Sequence, residues 1–284
     1  MYISQVIDKI KNYHYGIRNE QLIDDAISKD QVLYGDITKE CTGIVIAIWP
    51  SIEVINQAIA KGANLIISHE ALFWNRGDHT GWLEQSNNKT FQQKKELLDK
   101  YQITVWRDHD YIHSGIPIDD HYVDGIFWKF AKVIGWDQYV IGDTSKYREF
   151  LIPETTVSEV ARNIMTIGGL KGSKIIGEPN TKVRKVIIPS HNLGDAKAII
   201  TKVDKENFDL VLAMELIDFT LSEYVLDSNM LSQNKTILTV GHFNLEKIGM
   251  KVMENVVKQI VKNTDLDCSF IDSSDMYNYV MNNE

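Results

Sequence analysis

The sequence predicts an α/β protein built as two lobes. Three observations carry that expectation. Short aliphatic runs alternate with amphipathic helical stretches, one strand, helix, strand unit carries its own caps, and a similar alternation starts again in the second half. The expected lobes are 1–146 and 147–284 of a single unit, with mixed sheets flanked by helices.

Composition sets the outer bounds. The 284 residues, 44% hydrophobic and 24% charged, suffice for a large core and read as an ordinary soluble globular chain. A formal net charge of −9, with no Lys/Arg block, argues against a mainly electrostatic nucleic-acid binder, which needs a basic face to neutralise phosphates. Cys41 and Cys268 lie far apart without CxxC spacing and read as reduced thiols, which suits a cytoplasmic protein. The first residues are amphipathic and charged, and the longest apolar runs fall short of the ~20 residues a membrane span requires, so no export signal or anchor is expected.

Along the chain, Ile3, Val6, Ile7 and Ile10 mark one face of a helix over 2–13, whereas 14–40 give no clear pattern. GIVIAIWP (43–50) is a strand, Ser51 can cap a helix over 52–61, Gly62 can end it, and NLIISHE (64–70) is the next strand. Such a βαβ unit implies parallel pairing, which puts His69 and Glu70 at a carboxyl strand end, where open α/β sheets build ligand sites. The polar stretch 75–90 reads as a loop over that edge, with Trp82 folded down as a lid and His79 within it. A helix over 90–101 precedes ITVWRDHDYIH (103–113), a second strand that runs into Asp108, His109, Asp110 and His113. Helix 123–134 stops at Gly135.

From 147 onward the pattern gives a strand in REFLIP, a helix over 158–167, and the turn GEPNTK as a seam between lobes. KVIIP, DLVLAM and KTILTVGH follow as strands separated by helical stretches. Leu245 to Val261 keep one helical period to the end of the last helix. Identity between the two halves is too slight to establish a duplication.

His242 and Glu246, four residues apart, share a face if that helix starts at the strand end. Such a pair alone says little. Three strand ends carrying the same residue types say more, and four of the eight histidines lie there. Imidazole plus carboxylate without thiolate suits zinc, iron, manganese, cobalt or nickel. About six candidate ligands are too many for one tetrahedral ion, so two divalent ions roughly 3.5 to 4 Å apart are expected, an arrangement that acidifies bound water for hydrolysis. His191 in IIPSHNLGD reads as a loop histidine, His14 and His121 show no supporting pattern, and Gly168-Gly169 lacks a phosphate-loop context.

GIVIAIWPSIEVINQAIAKGANLIISHE with FW, then HDYIH, then GHFNLEKIG resemble, in that order, the NIF-three-like family, also known as GTP cyclohydrolase I type 2 homologues. The resemblance, over roughly 40–255, implies a two-lobed α/β fold, a toroidal homohexamer and a dinuclear metal site inside the ring. It matches His69 to the first ligand of a paired-histidine motif, with Glu70 where many relatives have the second histidine. In the middle motif, His109 is followed by His113 where the family has aspartate, so either His113 or Asp110 is the expected ligand. His242 and Glu246 match the closing His-x3-Glu ligands, and Glu215 matches an acidic position near the site. The resulting expectation is a metal-dependent hydrolase acting on a nucleotide or other phosphorylated or cyclic amide compound. His69, Glu70, Asp110 or His113, His242 and Glu246 would bind metal, and His109 or Glu215 would assist proton transfer. A non-catalytic metal store, insertase or scaffold uses the same ligand types and is the alternative.

Overall fold

A computed structural model describes residues 1–75, 78–191 and 195–280. The chain divides into two compact units: Met1–Ile126 with Met250–Ser273, and Phe127–Gly249 with the chain from Ser274.

In the first unit, α1 (Ile3–Tyr13) leads to a small ribbon of β1 (Ile17–Arg18) and β2 (Gln21–Leu22), then β3 (Val32–Tyr34) and β4 (Ile44–Ala47). Next come α2 (Ile52–Ala60), β5 (Leu65–Ser68), α3 (Gly81–Gln85), α4 (Lys89–Tyr101), β6 (Thr104–Arg107), α5 (Asp110–Ser114) and the hairpin of β7 (Ile116–Ile118) and β8 (His121–Val123). Within α6 (Gly125–Ile134) the chain leaves this unit. The second unit holds β9 (Glu149–Thr156), α7 (Val157–Gly168), β10 (Lys174–Ile176), β11 (Lys182–Ile187), α8 (Lys197–Lys205), β12 (Leu210–Leu212), α9 (Leu221–Met230), β13 (Thr236–Thr239) and most of α10 (His242–Met250). α11 (Val252–Ile260) and β14 (Cys268–Phe270) belong again to the first unit.

The first sheet has the order β14-β4-β5-β6-β3, parallel except for β3 at the β6 edge. Ile66 lies between Val45 and Val105 in register, and β4, β5 and β6 are buried along their whole length. Covered on both faces, such strands read as continuous apolar runs, which is why they are visible in the sequence. Each fully buried aliphatic side chain in this core contributes about 1.5–3 kcal/mol relative to exposure. The second sheet, β10-β13-β12-β11-β9, has a parallel centre between two antiparallel edge strands.

Local chemistry sets the helix ends. Ser51 Oγ accepts a hydrogen bond from the Val54 amide at 3.1 Å, and Gly62, at φ +67°, takes the left-handed conformation just past α2. Thr156 and Glu159 form a reciprocal capping box at the start of α7, two residues before the expected Ser158.

Some expectations are corrected. The units divide at Ile126/Phe127, not at residue 146, and GEPNTK joins β10 to β11 inside the second unit. Residues 76 and 77 of the expected 75–90 loop lie outside the described residues, and the rest of it contains α3, which buries Leu83 and leaves Trp82 53% exposed, so Trp82 is not folded down. The expected last helix is two helices, interrupted at Lys251, just after the chain passes from the second unit to the first between Gly249 and Met250. Cys41 and Cys268 are buried free thiols, as read from their spacing. No helix among the described residues is long and apolar enough to cross a membrane.

Candidate metal centre

The polar side chains collect at the carboxyl ends of parallel strands. His69 and Glu70 follow β5, His109 follows β6, His191 follows β11, Glu215 follows β12 and His242 follows β13. Within each unit, the parallel part of its own sheet brings these ends to one edge although they are far apart in sequence.

In the first unit His69, His109 and His113 form a buried cluster whose ligand atoms lie within 4.8 Å of one another. The His69 and His109 rings stack with centroids 4.6 Å apart, and His113 stands edge-on to both at 5.0 Å. Each Nδ1 meets an oxygen: the Asp108 carbonyl at 3.0 Å for His69, Asp110 Oδ1 at 3.1 Å for His109 and Asp124 Oδ2 at 2.8 Å for His113. A carbonyl or carboxylate only accepts, so Nδ1 carries a proton in all three rings, which leaves Nε2 as the atom that offers a lone pair when a ring is neutral. Burial lowers the His109 pKa well below its ordinary value, against the hydrogen bond to Asp110, and keeps that ring neutral.

Residues outside the cluster hold it in place. The Asp108 carboxylate turns to buried His14, 3.1 Å away, while its carbonyl serves His69. Asp30 accepts hydrogen bonds from the amides of His109 at 2.7 Å, Asp110 at 2.8 Å and Tyr111 at 3.3 Å, and so caps α5. Burial and the nearby Asp108 push the Asp30 carboxyl up to about 6, with the His109 and Tyr111 amides opposing. Asp110 binds Arg18, the Lys29 amide at 2.9 Å and His109. It therefore orients the His109 ring, whereas His113 sits inside the cluster. Glu70 places a carboxylate oxygen within 4.8 Å of a His69 ligand atom.

In the second unit His242 opens α10, with Glu246 one turn later. His242 Nε2 lies 2.8 Å from Glu246 Oε2, and its Nδ1 lies 2.9 Å from Glu215 Oε1. His191 Nδ1 reaches the same Glu215 oxygen at 2.8 Å. Burial acts to raise the Glu215 pKa, but the hydrogen bonds from His191 and His242 outweigh it and hold the carboxyl at about 2. With Nδ1–H donated to Glu215, a lone pair on Nε2 would face a carboxylate oxygen at 2.8 Å. Two acceptors tolerate that contact only with a cation between them, a proton or a metal ion. The turn into His242 needs Gly241, at φ +92°, where an added Cβ would come within 2.6 Å of the Tyr277 ring. A cavity of about 250 Å³ adjoins Glu215 and His242, and another of about 350 Å³ adjoins His191 and Arg148.

A profile of Duf34/NIF3 (NGG1p interacting factor 3) matches residues 24–276. The chain belongs to the NIF3 family. A Clostridium perfringens GTP cyclohydrolase 1 type 2 homolog is 26% identical over 257 residues, 86% of this chain and 87% of the relative. Among solved structures, a Staphylococcus aureus hypothetical protein aligns with TM-score 0.69 at 17% identity, covering 99% of both chains. A Bacillus cereus protein related to NIF3 aligns with TM-score 0.64 at 15% identity, again over 99% of both.

In this NIF3 family chain, sequence reasoning missed Asp30, Asp124 and His14, because none of them lies in a motif. His191 was read as a plain loop histidine, yet it shares Glu215 with His242. His79 and His121 are exposed and stand apart from both groups.

Proposed function

We propose that this NIF3 family protein binds divalent metal through its strand-end imidazoles and uses it to hydrolyse a phosphorylated or cyclic amide small molecule, nucleotides included. One observation supports the metal reading most directly. His69, His109, His113 and His242 each direct Nδ1 to an oxygen, the pattern by which outer carboxylates and carbonyls orient metal-binding histidines.

In this reading His69, His109 and His113, with Glu70 in reach, hold one ion, and His242 with Glu246 supplies ligands to a second. The absence of thiolate suits zinc, iron, manganese, cobalt or nickel. A divalent ion there would supply Lewis acidity and an acidified water. The chain's own part is positional: Asp124, Asp110 and the Asp108 carbonyl fix the rings, and burial keeps bulk water from competing for the lone pairs. The middle-motif ligand is then His113, while His109 acts as ligand in place of the proton carrier expected for it. Glu215 acts on His242 as a positioning residue. The printed name of the clostridial relative supports testing nucleotides first, and assembly as a homohexamer is part of the same proposal.

The test is elemental analysis of full-length protein purified without chelator, followed by turnover of nucleotides, phosphoesters and cyclic amides. His113→Ala and Glu246→Ala should each lower the metal content and abolish turnover. Unchanged turnover in Glu246→Ala would sink the hydrolase reading. The buried, closed character of the three-imidazole cluster favours a second reading, a metal store or insertase. Metal delivery to a client without turnover of any compound would select it. Light scattering tests the hexamer.

A further inference from the structure

The cavity beside His191 has a polar end that the metal reading does not use. Arg148 donates from Nη1 to Ser190 Oγ at 2.8 Å, and its guanidinium lies 4.3 Å from the Phe127 ring centroid, so it is held in position from two sides. Its buried Nε has no hydrogen-bond partner among the described residues, and Arg148 makes no ion pair with them. The other cation at this cavity is already matched. Lys202 pairs with Glu149 at 3.1 Å and Glu206 at 2.7 Å, and Asp195 accepts from the Lys197 amide at 2.9 Å. Arg148 is therefore the cation left without a carboxylate.

We propose that this cavity of about 350 Å³ is the subsite for a phosphoryl group carried by the substrate, with Arg148 and Ser190 as its donors. A guanidinium and a hydroxyl offer donors from different directions, which suits a tetrahedral oxyanion better than a planar carboxylate. Ile187, Pro189 and Ile199 line the remaining wall and give the rest of a small molecule an apolar surface. His191 also ties the subsite to the metal reading. Its Nδ1 is committed to the Glu215 oxygen that holds His242, so a group bound at Arg148 lies one carboxylate away from a proposed ligand. The proposal deepens the hydrolytic reading and rests on it for the reaction, but not for the binding.

The experiment is calorimetric titration of the full-length protein, metal content recorded, with inorganic phosphate, methyl phosphate and acetate. Phosphate and methyl phosphate should bind, and acetate should bind at least about tenfold more weakly. Arg148→Gln should weaken phosphate about tenfold or more, as expected for losing a charge-assisted hydrogen bond, and Ser190→Ala by roughly threefold. Ser190→Ala also carries the test should Arg148→Gln fail a circular-dichroism check of folding. Equal phosphate affinity in folded variants and wild type overturns the subsite, and acetate binding as tightly as phosphate overturns the phosphoryl assignment. Phosphate binding lost in His113→Ala but intact in Arg148→Gln places phosphate on the metal, overturning the subsite while the metal reading stands. Weaker phosphate binding in Arg148→Gln in a protein that takes up no metal supports the subsite and removes the hydrolase reading.

Discussion

His113 Nδ1 and Asp124 Oδ2 lie 2.8 Å apart, and both side chains are almost wholly buried. Asp124 does not join the three-imidazole cluster, yet it decides which nitrogen of His113 faces it. Asp124→Asn presents a neutral amide that can turn its N–H₂ toward the ring and favour the wrong tautomer. Metal affinity should then fall by about 10–100-fold with the fold intact, measured by competition against a chromophoric chelator. Unchanged affinity would show that the pair is purely structural.

Glu215 performs the same service for two rings at once. Glu215→Gln removes the charge that holds His191 and His242, so His242 loses its fixed tautomer. The expected outcome is loss or about 10–100-fold weakening of one metal equivalent. The equivalent bound by His69, His109 and His113 should remain. Elemental analysis of this variant beside His113→Ala separates the two, and equal loss of both ions would contradict the division of ligands.

Lys94 is a buried amine that should report on pH. Its Nζ donates to the Leu72 carbonyl at 2.7 Å and lies 5.7 to 5.8 Å from the ring centroids of Trp49, Phe73 and Trp74. Burial lowers its pKa from 10.5 to about 8, with Asp78 opposing. Between those values the unfolded chain holds a proton that the folded chain releases, so this group makes stability rise with pH. Below pH 8 the charged amine costs the folded state up to about 3 kcal/mol, offset in part by the aromatic rings. Urea unfolding of wild type and Lys94→Met at pH 7 and pH 10 should therefore differ. The wild type should gain about 1–3 kcal/mol on the variant as pH rises. A constant gap would mean that Lys94 is neutral, or fully compensated, throughout.

The cap at Ser51 gives a simpler case. Its Oγ satisfies the Val54 amide, one of the first-turn donors that α2 cannot pair internally. Ser51→Ala should cost about 1 kcal/mol in urea unfolding, and Ser51→Asp should cost much less because a carboxylate can also cap. Equal losses in both variants would mean that packing around Ser51, not capping, sets the effect.

The sequence by itself determined the parts whose cause is local. Fully buried parallel strands leave continuous aliphatic runs, so GIVIAIWP and NLIISHE are legible as β4 and β5 and place His69 and Glu70 at a strand end. The cap at Ser51 and the stop at Gly62 depend on neighbours within four residues, and they too could be read directly. The ordered motifs were likewise enough to indicate the NIF3 family. Tertiary structure decided everything that depends on partners distant in the chain. Asp30 reaches His109 across 79 positions and His14 reaches Asp108 across 94, so no window of sequence shows them as supports. The short strands of 14–40 have too few residues for a period to emerge. Whether Asp110 or His113 enters the cluster was open for the same reason: both fit the spacing. Arg18 and the Lys29 amide claim the Asp110 carboxylate, while Asp124 turns His113 inward. Residue type and spacing nominate candidates, but competition for each polar atom in three dimensions decides which of them enter the cluster.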